Sequence, residues 1–314
     1  LPPSSGRCAN TARHLLFRAE GESYAMQASL LTNLLLPLAL GIIMLGLGLG
    51  LTLDDFRRVA RYPRAVLIGL ALQTLVLPWA AFGLALGFGL PAELAVGLML
   101  LAASPGGATA NIYSHLARGD VALNITLTAI NSLLCLLTLP VILNLSLEYF
   151  LGAGQYVPPP TKKVIEVAAI ILLPVAIGMV IRARAAGFAA RTEKPIRLLS
   201  VLVLALLVVA AVAQEWKTLT TYFAIVGLAC LLFNLASMGA GYAAPLALRL
   251  PKKQAIAIAM EIGIHNGTLA IFIALNVLQN ATISVPAAVY SLLMFVTAAV
   301  FAWWVSRGGR EAAG

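Results

Sequence analysis

Long apolar runs alternate along the chain with short polar connections that are mostly basic. An apolar run of about 20 residues is long enough for a helix to cross a lipid bilayer. Nine such runs occur in the 314 residues, and they predict an all-α polytopic membrane protein with nine transmembrane helices. The predicted spans are 30–51, 65–88, 94–117, 121–145, 164–181, 198–214, 220–248, 254–275 and 284–305.

The composition agrees with a membrane protein and argues against other classes. The chain is 61% hydrophobic and 11% charged, whereas a soluble protein carries about 25% charged residues. The net charge of +9 does not indicate a nucleic-acid surface, because the basic residues fall in short clusters between apolar runs. The cysteines (Cys8, Cys135 and Cys230) are far apart, which argues against a disulfide framework or a zinc site.

The basic residues predict the orientation in the plasma (inner) membrane. With nine spans, fifteen Lys and Arg residues fall on one side and six on the other. Because cytoplasmic loops carry the excess of positive charge, the richer side is cytoplasmic. The N-terminus is then outside and the C-terminus inside.

The spans group into two repeats joined by a linker. Residues before Met26 form either a short disordered tail or a stretch translated from upstream codons in error. The predicted segments are the polar N-terminal tail 1–29, a first repeat of four spans 30–145, an external linker 146–163, a second repeat of five spans 164–305 and a cytoplasmic tail 306–314.

Two spans carry residues that interrupt a helix. Span 94–117 contains Pro105, Gly106 and Gly107, and span 254–275 contains Gly263 close to Gly267. The matching positions of the two breaks predict an inverted repeat, with 30–145 corresponding to about 198–305. Paired interruptions of this kind are typical of a transporter binding site. The alternative is two ordinary kinked helices packed through small residues.

Glu261 is the only acidic residue in the middle of a predicted span, and it lies beside the second break. An ionised carboxylate at mid-membrane costs about 2.5–3.5 kcal/mol on insertion scales, so it needs a partner or a function. The carbonyl groups of an opened helix beside a carboxylate are hard oxygen ligands. The sequence therefore predicts a membrane protein that binds a cation at its midplane.

Four strings between Leu38 and Trp304 resemble the bile acid:sodium symporter family. They are Gly41-Ile42-Ile43-Met44, Pro105-Gly106-Gly107, Leu116-Ala117-Arg118-Gly119-Asp120-Val121-Ala122-Leu123 and Glu261-Ile262-Gly263. The resemblance implies panel and core domains with two crossed discontinuous helices. It also implies sodium-coupled import of an organic anion by alternating access, with one or two sodium ions and no organic cofactor. A membrane enzyme such as an intramembrane protease is not expected, because the sequence has no HExxH or Gly-x-Gly-Asp motif.

The resemblance also implies two sodium positions. The first would use Asn111, Asn124, Thr128 and Glu261, with Asn131 and Ser132 close by. Ala110 stands where the family has Ser, and Asn124 replaces another Ser. The second would use Gln73, the same Glu261, and backbone oxygens of Ile262, Ile264 and His265. The family usually has Gln at His265, and this departure also raises proton coupling as an alternative.

The substrate would bind where the broken helices meet, with their N-termini directed at an anion. The candidate contacts are Thr109, Asn266, Gly267 and Thr268. Residues 292–295 of the last span are apolar where bile-acid-binding relatives carry polar side chains, so a carboxylate smaller than a bile acid is at least as good a candidate. The alternatives are a sodium-independent or proton-coupled anion carrier on this fold and a non-transporting receptor.

Overall fold

A computed structural model describes residues 36–152, 161–214 and 216–307. The polar tail with Met26, residues 153–160 of the linker and residues 308–314 lie outside the described part. The helices are α1 (Leu36–Gly50), α2 (Leu53–Arg57), α3 (Pro63–Gly87), α4 (Ala92–Ala103), α5 (Ala108–Leu116), α6 (Val121–Leu151), α7 (Thr161–Arg184), α8 (Ala186–Gln214), α9 (Trp216–Ala247), α10 (Lys252–Gly263), α11 (Gly267–Val277) and α12 (Val285–Arg307).

The predicted all-α class is confirmed, and each predicted span overlaps at least one helix. Four described helices are long and apolar enough to cross a membrane, namely Pro63–Gly87, Val121–Leu151, Thr220–Ala247 and Thr282–Arg307. Three apolar helices, Leu40–Gly50, Ala92–Ala103 and Gly267–Val277, are shorter. The count of nine spans stays a prediction.

Polar side chains lie inside the protein and large apolar side chains lie on its surface. Gln73, Asn124 and Glu261 are buried, whereas Leu137 is 72% exposed and Trp79 is 73% exposed. Most other buried residues are apolar, so the exposed large apolar side chains are what distinguish this surface from that of a soluble protein, and they suit contact with lipid.

The same turn joins α3 to α4 and α9 to α10. After α3, Gly89 has φ +58° and the N–H of Leu90 donates to the carbonyl oxygen of Ala85 at 3.0 Å. After α9, Arg249 has φ +61° and the N–H of Leu250 donates to the carbonyl oxygen of Pro245 at 2.8 Å. Both turns have the hydrogen bond of a Schellman motif, and a proline follows each one before the next helix begins.

The helices pack as two groups. Helix α1 packs closely along α7, and α8 contacts both. The approach of α1 to α7 depends on glycine, because a Cβ at Gly48 would lie 2.2 Å from the carbonyl oxygen of Val175. In the other group, α9 packs on α10 and α12, α4 packs on α6, and α10 also contacts α5 and α6. The two groups contact each other where α8 meets α12 and where α1 meets α11.

Candidate ion and substrate site

Both predicted interruptions are present in the structure. Helix α4 ends at Ala103 and α5 begins at Ala108, and between them Ser104 and Gly107 have extended backbone conformations. Helix α10 ends at Gly263, Ile264 is extended, and α11 begins at Gly267. Pro105 has no N–H to donate, which is the local reason why α4 does not continue.

The two interruptions lie against each other. Gly106 and His265 form an isolated antiparallel bridge, and the N–H of Asn266 donates to the carbonyl oxygen of Pro105 at 2.8 Å. The approach requires glycine at position 106, because a Cβ there would lie 2.6 Å from the Cδ of Glu261. The backbone groups left free by the two helix ends are therefore partly paired with each other.

Glu261 lies in the last turn of α10 and is 0% exposed. The Thr128 hydroxyl donates to its Oε2 at 2.5 Å, and the Asn131 amide nitrogen donates to its Oε1 at 3.3 Å. Both donors come from α6. Among the described residues, no Lys, Arg or His forms an ion pair with this carboxylate. An ionised Glu261 would thus have two neutral donors and no protein cation to balance its charge.

Three amide oxygens near this region have no hydrogen-bond partner. The amide nitrogen of Asn124 donates to the carbonyl oxygen of Ala257, one turn before Glu261, at 2.7 Å. The Oδ1 atoms of Asn124, Asn131 and Asn111 are buried without a partner. A buried acceptor without a donor is costly, and a hard cation is one way to satisfy it.

Gln73 and His265 both contact the first interruption. The Gln73 amide nitrogen donates to the carbonyl oxygens of Ala102 at 3.0 Å and Ser104 at 3.2 Å. His265 Nδ1 lies 2.9 Å from the same Ser104 oxygen. A carbonyl oxygen only accepts, so Nδ1 carries the hydrogen and a neutral ring keeps its lone pair on Nε2. Gln73 lies in a π-helical turn, Leu72–Val76, just before Pro78.

Tyr290 and Asn234 stabilise the end of α10, and neither was predicted as a site residue. The Tyr290 hydroxyl donates to the Gly263 carbonyl oxygen at 2.8 Å, and the Asn234 amide nitrogen donates to the same oxygen at 2.9 Å. The rings of His265, Tyr290 and Phe233 pack against one another, with centroid distances of 5.4 Å from His265 to Tyr290, 5.5 Å from His265 to Phe233 and 5.8 Å from Phe233 to Tyr290. Tyr290 could have been singled out from the sequence, because it is a polar aromatic residue inside a predicted apolar span.

A cavity of about 310 Å³ lies between α1 and the interruptions. All four predicted substrate contacts line it, as do Asn111, Ile264 and His265. Glu261, Gln73, Asn124 and Thr128 are not among its lining residues. Within the described chain, none of the lining residues is Lys, Arg, Asp or Glu. The wall formed by α1 is apolar and contains Ile43, Met44 and Leu47, and Leu51 directly after the helix continues it.

The predicted site residues therefore form two neighbouring sets. In one set Thr128 and Asn131 bond to the Glu261 carboxylate, whereas Asn124 bonds to a backbone carbonyl oxygen near Glu261 in the chain and Gln73 to one at the first interruption. The other set lines the cavity. Gly107 lines the cavity, whereas Gly106 contacts Glu261 and Gly263 accepts from Tyr290. Ile262 is fully buried beside Glu261. His265 belongs to the cavity wall and also contacts Ser104, so it joins the two sets.

Comparisons with known proteins show what the chain is similar to. The sequence profile of the sodium bile acid symporter family matches residues 37–222. The uncharacterized sodium-dependent transporter YocS of Bacillus subtilis is 30% identical over 277 residues, which are 88% of this chain and 84% of that protein.

Two further relatives come from eukaryotes. The probable chloroplastic sodium/metabolite cotransporter BASS2 of Oryza sativa subsp. japonica is 28% identical, over 87% of this chain and 64% of that protein. The ileal sodium/bile acid cotransporter of Oryctolagus cuniculus is 28% identical over 48% of this chain and 43% of that protein. These relatives are transporters and not enzymes. The chain belongs to the sodium bile acid symporter family.

Proposed function

We propose that the chain is a sodium-coupled secondary active transporter that imports a small organic anion by alternating access. One observation carries the proposal. Glu261 is fully buried where the two helix interruptions meet, and its hydrogen-bond partners are neutral. A cation that binds there offsets the carboxylate charge. The conformation of both interruptions then depends on whether the ion is bound.

The first sodium ion binds at Glu261, with Asn111, Asn124 and Thr128 as further oxygen ligands. The unpartnered Oδ1 atoms of Asn111 and Asn124 support this assignment, because Na⁺ needs such neutral oxygens. The Thr128 hydroxyl already reaches Glu261 Oε2. Asn131 also contacts the carboxylate, although the sequence placed it only close by.

A second sodium position lies beside Gln73 and Glu261, with oxygens of Ile262, Ile264 and His265 as its other candidate ligands. Gln73 and His265 converge on Ser104, and the Gln73 Oε1 and His265 Nε2 atoms are buried without partners. Neutral imidazole is compatible with a nearby cation, whereas a protonated ring would repel it.

The cavity is the substrate site. Its polar contacts are Thr109, Asn266, Gly267 and Thr268, at the N-terminal ends of α5 and α11, where the backbone carries partial positive charge. Its volume of about 310 Å³ is at the low end of the 300–1,000 Å³ usual for ligand pockets. Met294 contributes an apolar contact. These features favour a small carboxylate over a bile acid.

The two helix groups provide the moving parts. We assign α1, α7 and α8 to a panel domain and the remaining long helices, with both crossed discontinuous helices, to a core domain. The cavity lies between α1 and the interruptions, so rocking of one group against the other would open it to alternate sides. The repeated turns at Gly89 and Arg249 support two inverted repeats within nine spans. The N-terminus is outside and the C-terminus cytoplasmic in the plasma (inner) membrane.

The number of sodium ions decides how far the substrate can be concentrated. One sodium ion gains about 2.3 kcal/mol through 100 mV and about 1.4 kcal/mol through a tenfold gradient. Two ions that carry in a monoanion leave roughly 5 kcal/mol, or about 10³- to 10⁴-fold accumulation. With one ion the transported charge is zero, and accumulation falls to about tenfold.

Two alternatives remain distinct from this proposal. A sodium-independent or proton-coupled carrier would use the same cavity, and the buried His265 is the observation that favours it. A non-transporting receptor would bind the anion without flux.

Uptake measurements in proteoliposomes separate these alternatives. Labelled small carboxylates and a bile acid are offered to the purified protein with an imposed sodium gradient, a proton gradient or neither. The proposal requires concentrative uptake of a small carboxylate that depends on sodium. Equal uptake with choline in place of sodium would exclude it, and binding without uptake would favour the receptor.

A further inference from the structure

The cavity of about 310 Å³ extends along α5, from the interruptions to the last turn of that helix. Thr109, in the first turn of α5, and His115, in its last turn, both line it. Asn111 and His115 lie one helical turn apart and therefore share a face of the helix. Residues 109 and 115 are separated by about 9 Å along the helix axis. The cavity thus has two ends, and His115 marks the end away from the interruptions.

Apolar side chains separate the two ends. Thr109 and Thr268 provide hydroxyl groups at the interruptions. Ile112 lies between Thr109 and His115 on α5, and Leu47 of α1 and Ile125 of α6 add further apolar side chains to the wall. Apolar surface of this kind favours the hydrocarbon part of a ligand over water.

The ring of His115 offers a hydrogen-bond donor at the second end. The residue is exposed, and within the described part of the chain its ring has no hydrogen-bond partner. A histidine ring carries at least one N–H whether it is neutral or protonated. That N–H can donate to an acid group of a bound molecule, and hydrogen bonds to a charged acceptor are the stronger kind. His265, which also lines the cavity, differs because its Nδ1 is already bound to the Ser104 carbonyl oxygen.

The backbone beside His115 is arranged so that it opposes an anion less than an ordinary helix end does. The last carbonyl groups of a helix carry partial negative charge. Here the carbonyl oxygens of Tyr113, Ser114 and His115 accept hydrogen bonds of 2.8–3.1 Å from the N–H groups of residues 117–119. These bonds reduce the negative charge that the end of α5 presents to the cavity.

We propose that His115 binds a second carboxylate of the substrate, so that the transported anion is a short aliphatic dicarboxylate. This inference rests on the proposed function and specifies its substrate class. One carboxylate binds at Thr109 and Thr268, the other accepts a hydrogen bond from the His115 ring, and the methylene groups between them lie against Ile112. With hydrogen bonds of about 3 Å at each end, a separation of about 9 Å suits a dicarboxylate of roughly four to six carbons.

Calorimetric titration of the purified full-length chain, in detergent with sodium, tests the proposal with glutarate and pentanoate. The two acids have chains of equal length, and only glutarate carries a second carboxylate. The wild type is expected to bind glutarate roughly 10- to 100-fold more tightly, because only glutarate makes a further hydrogen bond between a charged group and the protein. His115→Leu should lose this preference, whereas His115→Gln keeps an N–H donor and should retain most of it.

Arg118→Gln is the matched control for charge at the same end of α5. Arg118 is exposed and follows His115 closely in the chain, but it does not line the cavity. This variant should bind both acids as the wild type does. A melting curve verifies that each variant is folded. If His115→Leu does not fold, His115→Phe keeps an aromatic ring without the N–H and provides the same comparison.

Three results would overturn the inference. They are a wild type that binds neither acid, a wild type that binds pentanoate as tightly as glutarate, and a glutarate preference that persists in folded His115→Leu or His115→Phe. Uptake of both acids into proteoliposomes under a sodium gradient tests the proposed function separately. Glutarate binding that depends on His115 without sodium-driven uptake would refute the proposed function and leave the dicarboxylate site standing. Sodium-driven uptake without any preference for glutarate would do the opposite.

Discussion

The contact of Gly106 with Glu261 gives a quantitative test of the ion site. A Cβ at position 106 would lie 2.6 Å from both Cδ and Oε1 of Glu261 and 2.7 Å from its backbone oxygen. Carbon atoms rest at about 3.5–4.0 Å, so Gly106→Ala must displace the carboxylate or the backbone by about 1 Å. Metal sites tolerate errors of only about 0.2 Å in ligand distance. We therefore expect sodium affinity to fall by roughly 10- to 100-fold and unfolding free energy to fall by about 1–3 kcal/mol.

The assay is the half-saturating sodium concentration for anion uptake, with thermal unfolding in detergent measured in parallel. Gly83→Ala is the control, because a Cβ there has no neighbour within 4 Å and Gly83 lies on the exposed side of α3. The control should keep wild-type sodium dependence. Wild-type sodium affinity in Gly106→Ala would show that the carboxylate is not an ion ligand held by this backbone contact.

Three further outcomes follow from the packing and the ion site. Gly267→Ala should destabilise the protein by about 1–3 kcal/mol, because the new Cβ would lie 2.0 Å from Ser291 Oγ, and adding Ser291→Ala should restore most of the melting temperature. Tyr290→Phe should cost about 1 kcal/mol, because the Gly263 carbonyl oxygen keeps only its bond from Asn234; an unchanged melting temperature would contradict this. Sodium at about 100 times its dissociation constant should stabilise the wild type by about 2.7 kcal/mol, and choline should not, which a thermal-shift titration at constant ionic strength measures.

The apolar pattern and the helix breakers predicted the fold class and the position of both interruptions. Pro105 and Gly263 lie at the ends of α4 and α10 because their effect on a helix is local. Glu261 was also identifiable from its local sequence, because a single carboxylate inside an apolar run is costly in a membrane and therefore stands out. The lengths of the helices were less predictable, and α6 extends to Leu151, beyond the predicted end of its span.

Features that depend on contacts between distant segments were not predictable from one sequence. The sequence placed Asn131 only near the first ion position. In the structure its side chain contacts Glu261, which lies 130 positions later in the chain. Asn234 and Tyr290 meet at Gly263 for a similar reason, because three helices must pack before their polar groups can pair.

Sodium binding by Glu261→Gln tests whether the buried carboxylate is an ion ligand. The substitution keeps the size of the side chain and removes its charge, and Glu148→Gln provides a control at an exposed carboxylate outside the site. Radioactive sodium is titrated onto the purified variants in detergent, and a melting curve verifies folding. We expect that Glu261→Gln folds and loses saturable sodium binding at position 261, while Glu148→Gln binds as the wild type does. Full sodium binding by folded Glu261→Gln would show that this carboxylate is not a sodium ligand.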